Sequence, residues 1–147
     1  MDDLEGRKEW MGLLARAPAE LLAERWESLA STPHFSWLRA PEIGGVMVQG
    51  RTGAKGAPFN LGEMTVTRCS LRLESGEVGH GYVQGRDKRK AETAALCDAM
   101  MQTEASSKVR KQVLTPIAEA MEATKIAREK KAAGTKVDFF TMVRGED

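Results

Sequence analysis

Apolar residues recur along this chain with two different periods, and each change of period marks an element. Over residues 7–17, Trp10, Leu13, Leu14 and Ala17 fall at i, i+3, i+4 and i+7, the spacing of one helix face. Pro18 then opens a second helix, where the N–H that proline lacks would have had no partner. Leu21, Leu22, Trp26 and Leu29 are its apolar positions. The pair predicts a helical arm over residues 1–31, packed either on its own domain or on a neighbour. Ser31-Thr32-Pro33 breaks the pattern.

The period then falls to two. Residues 34–40 and 43–50 read as strands, with Pro41 suited to an edge or a connection. Residues 63–73 are the clearest strand. Thr65, Thr67, Cys69, Leu71 and Leu73 face one way; Met64, Val66, Arg68, Ser70 and Arg72 face the other. Ser75-Gly76 makes a short turn and 78–83 return antiparallel. Arg68 and Arg72 on one face imply that this face is either wet or meets a charged partner. The glycine-rich stretch Gly50–Pro58 carries Arg51 and Lys55. Gly45 to Thr52 formally approaches a phosphate-binding loop, but Val46-Met47-Val48 stand in the loop positions and no helix follows. A hairpin connection is expected, the alternative being contact of Arg51 and Lys55 with a phosphate or an acidic partner.

Tyr82–Met101 (YVQGRDKRKAETAALCDAMM) organises the rest. A Gly85 turn ends a strand, and Asp87 can cap the helix that follows. Arg86, Lys88, Arg89 and Lys90 cluster at the helix start, where the dipole disfavours cations, so they are either solvated or await an anion. Further on, alanines, Leu96, Cys97, Met100 and Met101 surround the helix. Such a helix is buried on more than one side, and one of its neighbours could be another protein. Asp98 falls in the sector of Ala91, Ala94 and Ala95, and a carboxylate there needs a partner or water.

After Ser106-Ser107, Val109, Val113, Ile117 and Met121 recur at i+4. Thr115-Pro116 either kinks this helix or starts a new one. Gly134 is a good stop. Val137, Phe139, Phe140, Met142 and Val143 then predict an apolar extended tail, added as a strand to its own sheet or to a partner. The fold class expected is α+β. It comprises a helical hairpin, an antiparallel sheet of about four strands packed by a central alanine-rich helix, a long C-terminal helix and the tail. One domain is expected over 1–147, divided as 1–31, 34–105, 106–134 and 135–147.

Composition changes this picture little. Of 147 residues, 41% are apolar and 29% charged, which suits a globular domain, and a net charge of +1 supplies no global field toward nucleic acid or membrane. No signal segment and no run of about 18 apolar residues is evident, so a cytoplasmic protein is expected, with Cys69 and Cys97 as reduced buried thiols. His34 and His80 are isolated, and no metal, cofactor or nucleophile motif joins any residues. With no self-contained active site, a subunit or binder is favoured over a stand-alone enzyme. The candidate interface or anion contacts are Arg68, Arg86, Asp87, Lys88, Arg89, Asp98, Phe139, Phe140, Met142 and Arg144.

The segments RKEWMGLLARA (7–17), TRCSLRL (67–73), GYVQGRDKRKAETAALCDAMMQ (81–102) and VDFFTMVRGED (137–147) resemble the PhnG family, the G subunit of the bacterial carbon–phosphorus lyase system. The resemblance spans essentially the whole chain. It implies a role in organophosphonate catabolism, in a core complex with H, I and J subunits. That complex displaces adenine from MgATP with a phosphonate, giving ribose 1-phosphonate 5-triphosphate. It further implies that the I subunit carries this chemistry and that the chain itself binds no cofactor. A different reading is a double-stranded RNA-binding module, in which Lys88, Ala91 and Ala95 supply a K-x-x-A-x-x-x-A helix. The extra helices, the apolar tail and the low net charge speak against it, so no nucleic-acid or membrane partner is expected.

Overall fold

A sheet, a single helix and a helical cover are stacked in that order. The computed structural model describes the backbone of residues 3–30, 32–51 and 58–145, and the side chains of residues 6–30, 32–50 and 62–134. The arm consists of α1 (Asp3–Arg16) and α2 (Ala19–Glu27), with Pro18 immediately before α2 as its spacing predicts. The sheet contains β1 (Phe35–Arg51), β2 (Pro58–Leu73) and β3 (Val78–Gln84), all antiparallel, in the order β1-β2-β3.

There are three strands rather than about four, because residues 34–40 and 43–50 lie in one strand. Its pairing with β2 slips between Trp37 and Arg39 and again between Arg39 and Glu42. Pro41 thus sits in a bulged stretch of an edge strand, where its missing N–H interrupts no ladder. β3 pairs only with Val66–Arg72 of β2. Beyond that point Gly45–Arg51 and Pro58–Thr65 continue as a two-stranded ribbon. The expected connection at Gly50–Pro58 fits the pairing of Arg51 with Pro58, but residues 52–57, including Lys55, lie outside the described residues.

α3 (Lys88–Met100) is the middle layer. Ala91, Ala95, Leu96 and Ala99 pack on Cys69, Leu71, Leu73 and Val83 of the sheet. On its other side Ala94, Cys97 and Met101 join the core formed by Leu14, Leu22, Leu29, Val109, Val113 and Ile117. Both apolar neighbours of this helix therefore belong to its own chain. The arm packs on its own domain, and no other protein is needed to bury α3. Alternate residues of a strand share a face, so Gly79 and Gly81 both point at α3. A Cβ on Gly79 would lie 2.0 Å from the carbonyl oxygen of Ala95, and one on Gly81 2.1 Å from that of Ala91. Glycines below and alanines above let helix and sheet backbones nearly touch.

The chain leaves α3 through α4 (Ser106–Val109) and a π-helical turn (Arg110–Leu114) into α5 (Thr115–Gly145). Pro116 explains the wide turn. It has no N–H for the carbonyl of Gln112 four residues back. That carbonyl instead accepts from Arg25 Nε of α2, at 2.8 Å. A new α-helix, α5, therefore begins at Thr115-Pro116, the second of the two outcomes its sequence allows.

Two expectations at the C-terminus are corrected. Gly134 does not stop the helix, and the backbone over residues 137–145 is helical rather than an extended tail. A single interior glycine costs about 1 kcal/mol relative to alanine, too little to end a run rich in alanine, lysine and glutamate. The side chains of Phe139, Phe140, Met142 and Arg144 lie outside the described residues. At 31 residues α5 is about 46 Å long, and every described side chain from Glu122 to Gly134 is exposed. No helix among the described residues is long and apolar enough to cross a membrane.

Candidate functional site

Among the described residues Asp98 is the most constrained polar group. It is fully buried and accepts four hydrogen bonds. Arg7 donates from Nε to Oδ1 at 3.2 Å and from Nη2 to Oδ2 at 3.0 Å. Trp10 Nε1 donates to Oδ1 at 2.8 Å, and the backbone N–H of His80 to Oδ2 at 2.9 Å. The sequence places Asp98 among candidate surface contacts; the structure moves it to the interior. Its required partner is the arm of its own chain. The signal for that partner was present, since Arg7 precedes Trp10 by three residues and so shares the face that turns inward. One carboxylate thereby joins α1, α3 and β3.

The same group closes one edge of the sheet. The Val78 carbonyl on the outer side of β3 accepts from Arg7 Nη2 at 3.3 Å and from Gln102 Nε2 at 2.8 Å. With the His80 N–H taken by Asp98, side chains occupy this edge and leave little for another strand to pair with. β1 forms the opposite edge, and Trp37, Leu38, Ile43 and Met47 on it are exposed.

The basic cluster divides into used and unused members. Asp87 caps α3 as its position predicts, accepting the Lys90 N–H at 2.9 Å. Gly85 makes the turn before it at a φ of +92°, where glycine has no steric penalty. The Thr67 hydroxyl donates to the Gly85 carbonyl at 2.6 Å and fixes that turn. Lys90 Nζ reaches the Ala15 carbonyl at 3.1 Å, at the C-terminal end of α1, where a cation is favoured. Burial pushes its pKa down, against an opposing pull from Asp87. Arg86, Lys88 and Arg89 are exposed and make no hydrogen bond or ion pair among the described residues. A hollow of about 60 Å³ beside Asp87, Arg89 and Lys90 is too small for a nucleotide.

Arg68 lies elsewhere, on the sheet face opposite α3, between Glu42 and Tyr82 on the neighbouring strands. Arg68 and Arg72 are exposed, and among the described elements no helix covers them. Arg68, the free cations at the start of α3 and Asp98 therefore occupy three separate places and do not converge. Of the three residues behind the RNA-binding reading, Ala91 and Ala95 are buried against the sheet, and Lys88 alone faces water.

The thiols are poorly suited to chemistry. Burial pushes Cys69 up to about 11 and Cys97 up to about 12, so both stay protonated near neutral pH. Among the described residues no group of three or more His, Cys, Asp or Glu side chains could hold a metal ion. What the arrangement offers is surface: an open strand edge, a basic helix start and a long uncovered helix.

The family model described as "Phosphonate metabolism protein PhnG" matches residues 5–145. A relative from Rhizobium meliloti (strain 1021), named alpha-D-ribose 1-methylphosphonate 5-triphosphate synthase subunit PhnG, is 45% identical over 141 residues. The match covers 96% of this chain and 90% of the relative.

Proposed function

The chain belongs to the PhnG family of phosphonate metabolism proteins, and from that premise we propose that it is a subunit of an alpha-D-ribose 1-methylphosphonate 5-triphosphate synthase, in the carbon–phosphorus lyase route. Its role is assembly rather than catalysis. The observation that carries this is where its polar groups go. The buried carboxylate Asp98 and the part-buried Lys90 hold the fold together, while the unpaired cations are spread over separate surfaces. A nucleosidase-like or transferase site needs an acid, a base and a phosphate clamp within reach of one substrate. The described side chains do not form such a set.

On this reading the chemistry, displacement of adenine from MgATP by a phosphonate, belongs to an I-type partner, with H- and J-type subunits completing a cytoplasmic complex. MgATP is then a substrate of the complex and not a ligand of this chain. Adenine release by the purified complex is the test. Release is expected to stop when this chain is omitted, and to persist near the full rate with His34→Ala and His80→Ala. A tenfold or greater loss of rate in a fully assembled histidine variant would place catalysis in this chain and overturn the assembly role.

A further inference from the structure

A cleft of about 820 Å³ runs between α1 and the start of α5. Trp10, Leu13, Leu21, Leu114 and Met121 contribute its apolar side chains. Leu114 is buried and the other four are half-buried, so a seam of core residues remains within reach of a partner. Four cations, Arg16, Arg110, Lys125 and Arg128, and two carboxylates, Glu9 and Glu122, also line it. All six are exposed and make no hydrogen bond or ion pair among the described residues. The cleft thus combines an apolar floor with a rim carrying two excess positive charges.

One wall is incomplete. α5 touches the body through Ile117 and Met121 and then leaves it, with every described side chain from Glu122 to Gly134 in water. A helix segment of that length without a packing face is marginal by itself. Whatever fills the cleft would lie beside this free stretch and give it a neighbour.

We propose that this cleft is the docking groove for an amphipathic helix of another subunit, one whose apolar stripe is flanked by acidic residues. The proposal rests on the subunit reading above and deepens it by naming the partner segment's chemistry. A cleft between two helices with an apolar seam along it suits a third helix, whose anchors at i, i+3 or i+4 and i+7 would meet Trp10, Leu13 and Met121. The cationic rim selects the sign of the flanks and excludes basic helices. A small anion fits less well, because the cations stand on separate rims and no buried donor points inward.

In a Trp26→Phe/Trp37→Phe background, used below as the wild type for fluorescence, Trp10 makes binding observable in the full chain. Two synthetic 18-residue helices with the same leucine stripe, one flanked by Glu and one by Lys, are titrated against its fluorescence. The Glu-flanked helix is expected to bind at least tenfold more tightly, with Lys125→Glu/Arg128→Glu abolishing that preference. Equal binding of the two helices overturns the proposal. So does inorganic triphosphate quenching Trp10 in the wild type and not in the variant, which would mark an anion site. In the co-expressed complex, the same double variant is expected to lose at least tenfold in retention while its thermal midpoint stays unchanged. Full retention removes the cleft from the interface but leaves the subunit reading standing. A wild-type chain that never co-purifies with the companion subunits defeats both.

Discussion

The middle of this molecule and its overhangs follow opposite rules. α3 is enclosed by its own chain on both sides, and its buried charge is fully partnered. The ribbon beyond β3 and the free length of α5 have little beneath them. The first region satisfies itself; the second is built for something else to complete. A 147-residue chain that leaves 13 consecutive helical positions exposed has put much of its length into reach rather than core.

The strongest way to break the comparison is to attack the enclosed region at its one charge. Asp98→Ala strands the Trp10 and His80 donors and half-buries an unpaired Arg7. We expect a loss of about 4 kcal/mol in urea denaturation, moderated because Arg7 is one-third exposed and can reach water. A loss below about 1 kcal/mol would show that the arm is held by apolar packing alone. The glycines give the next effect. Gly81→Ala forces a methyl group against the Ala91 carbonyl and should cost about 3 kcal/mol. Gly44→Ala, in the same sheet but with nothing within 4 Å, should stay within about 0.5 kcal/mol. Equal costs would mean that the helix does not press on the sheet.

A smaller effect sits where the two regions join. Arg25→Ala leaves the Gln112 carbonyl without its donor, at a cost of about 1 kcal/mol. In a Pro116→Ala background the backbone regains an N–H, and the same substitution should cost less than half as much. A double-mutant cycle measures that coupling. Least of all, Ala127→Gly in the free part of α5 should lower helical ellipticity yet move the global unfolding free energy by under about 0.5 kcal/mol. A larger shift would mean that α5 supports the body.

Much of this was legible in the chain. The i, i+3, i+4 rows gave both helices of the arm. Alternation gave β2 and β3 and put Arg68 and Arg72 on an open face. Asp87 and Gly85 announced the start of α3, and the all-round apolar pattern announced its burial. These features are local, set by 3.6-residue and 2-residue periods and by the steric needs of single residues. The sequence by itself therefore determined the two helices of the arm, β2, β3 and the start of α3, and it carries no recognisable catalytic motif.

Only the tertiary structure decided which partner each element has. Asp98 needed a donor, but that the donor was Arg7, 91 residues away, depended on how the arm folds back over α3. That glycine is needed at positions 79 and 81 shows only once a helix backbone lies against them. The apolar stretch after Gly134 read as a strand, yet the backbone there is helical, because each further helical residue gains a local hydrogen bond without the chain-closure cost of reaching a distant sheet edge. Contacts between distant segments depend on three-dimensional closeness, and no periodicity along a chain encodes that.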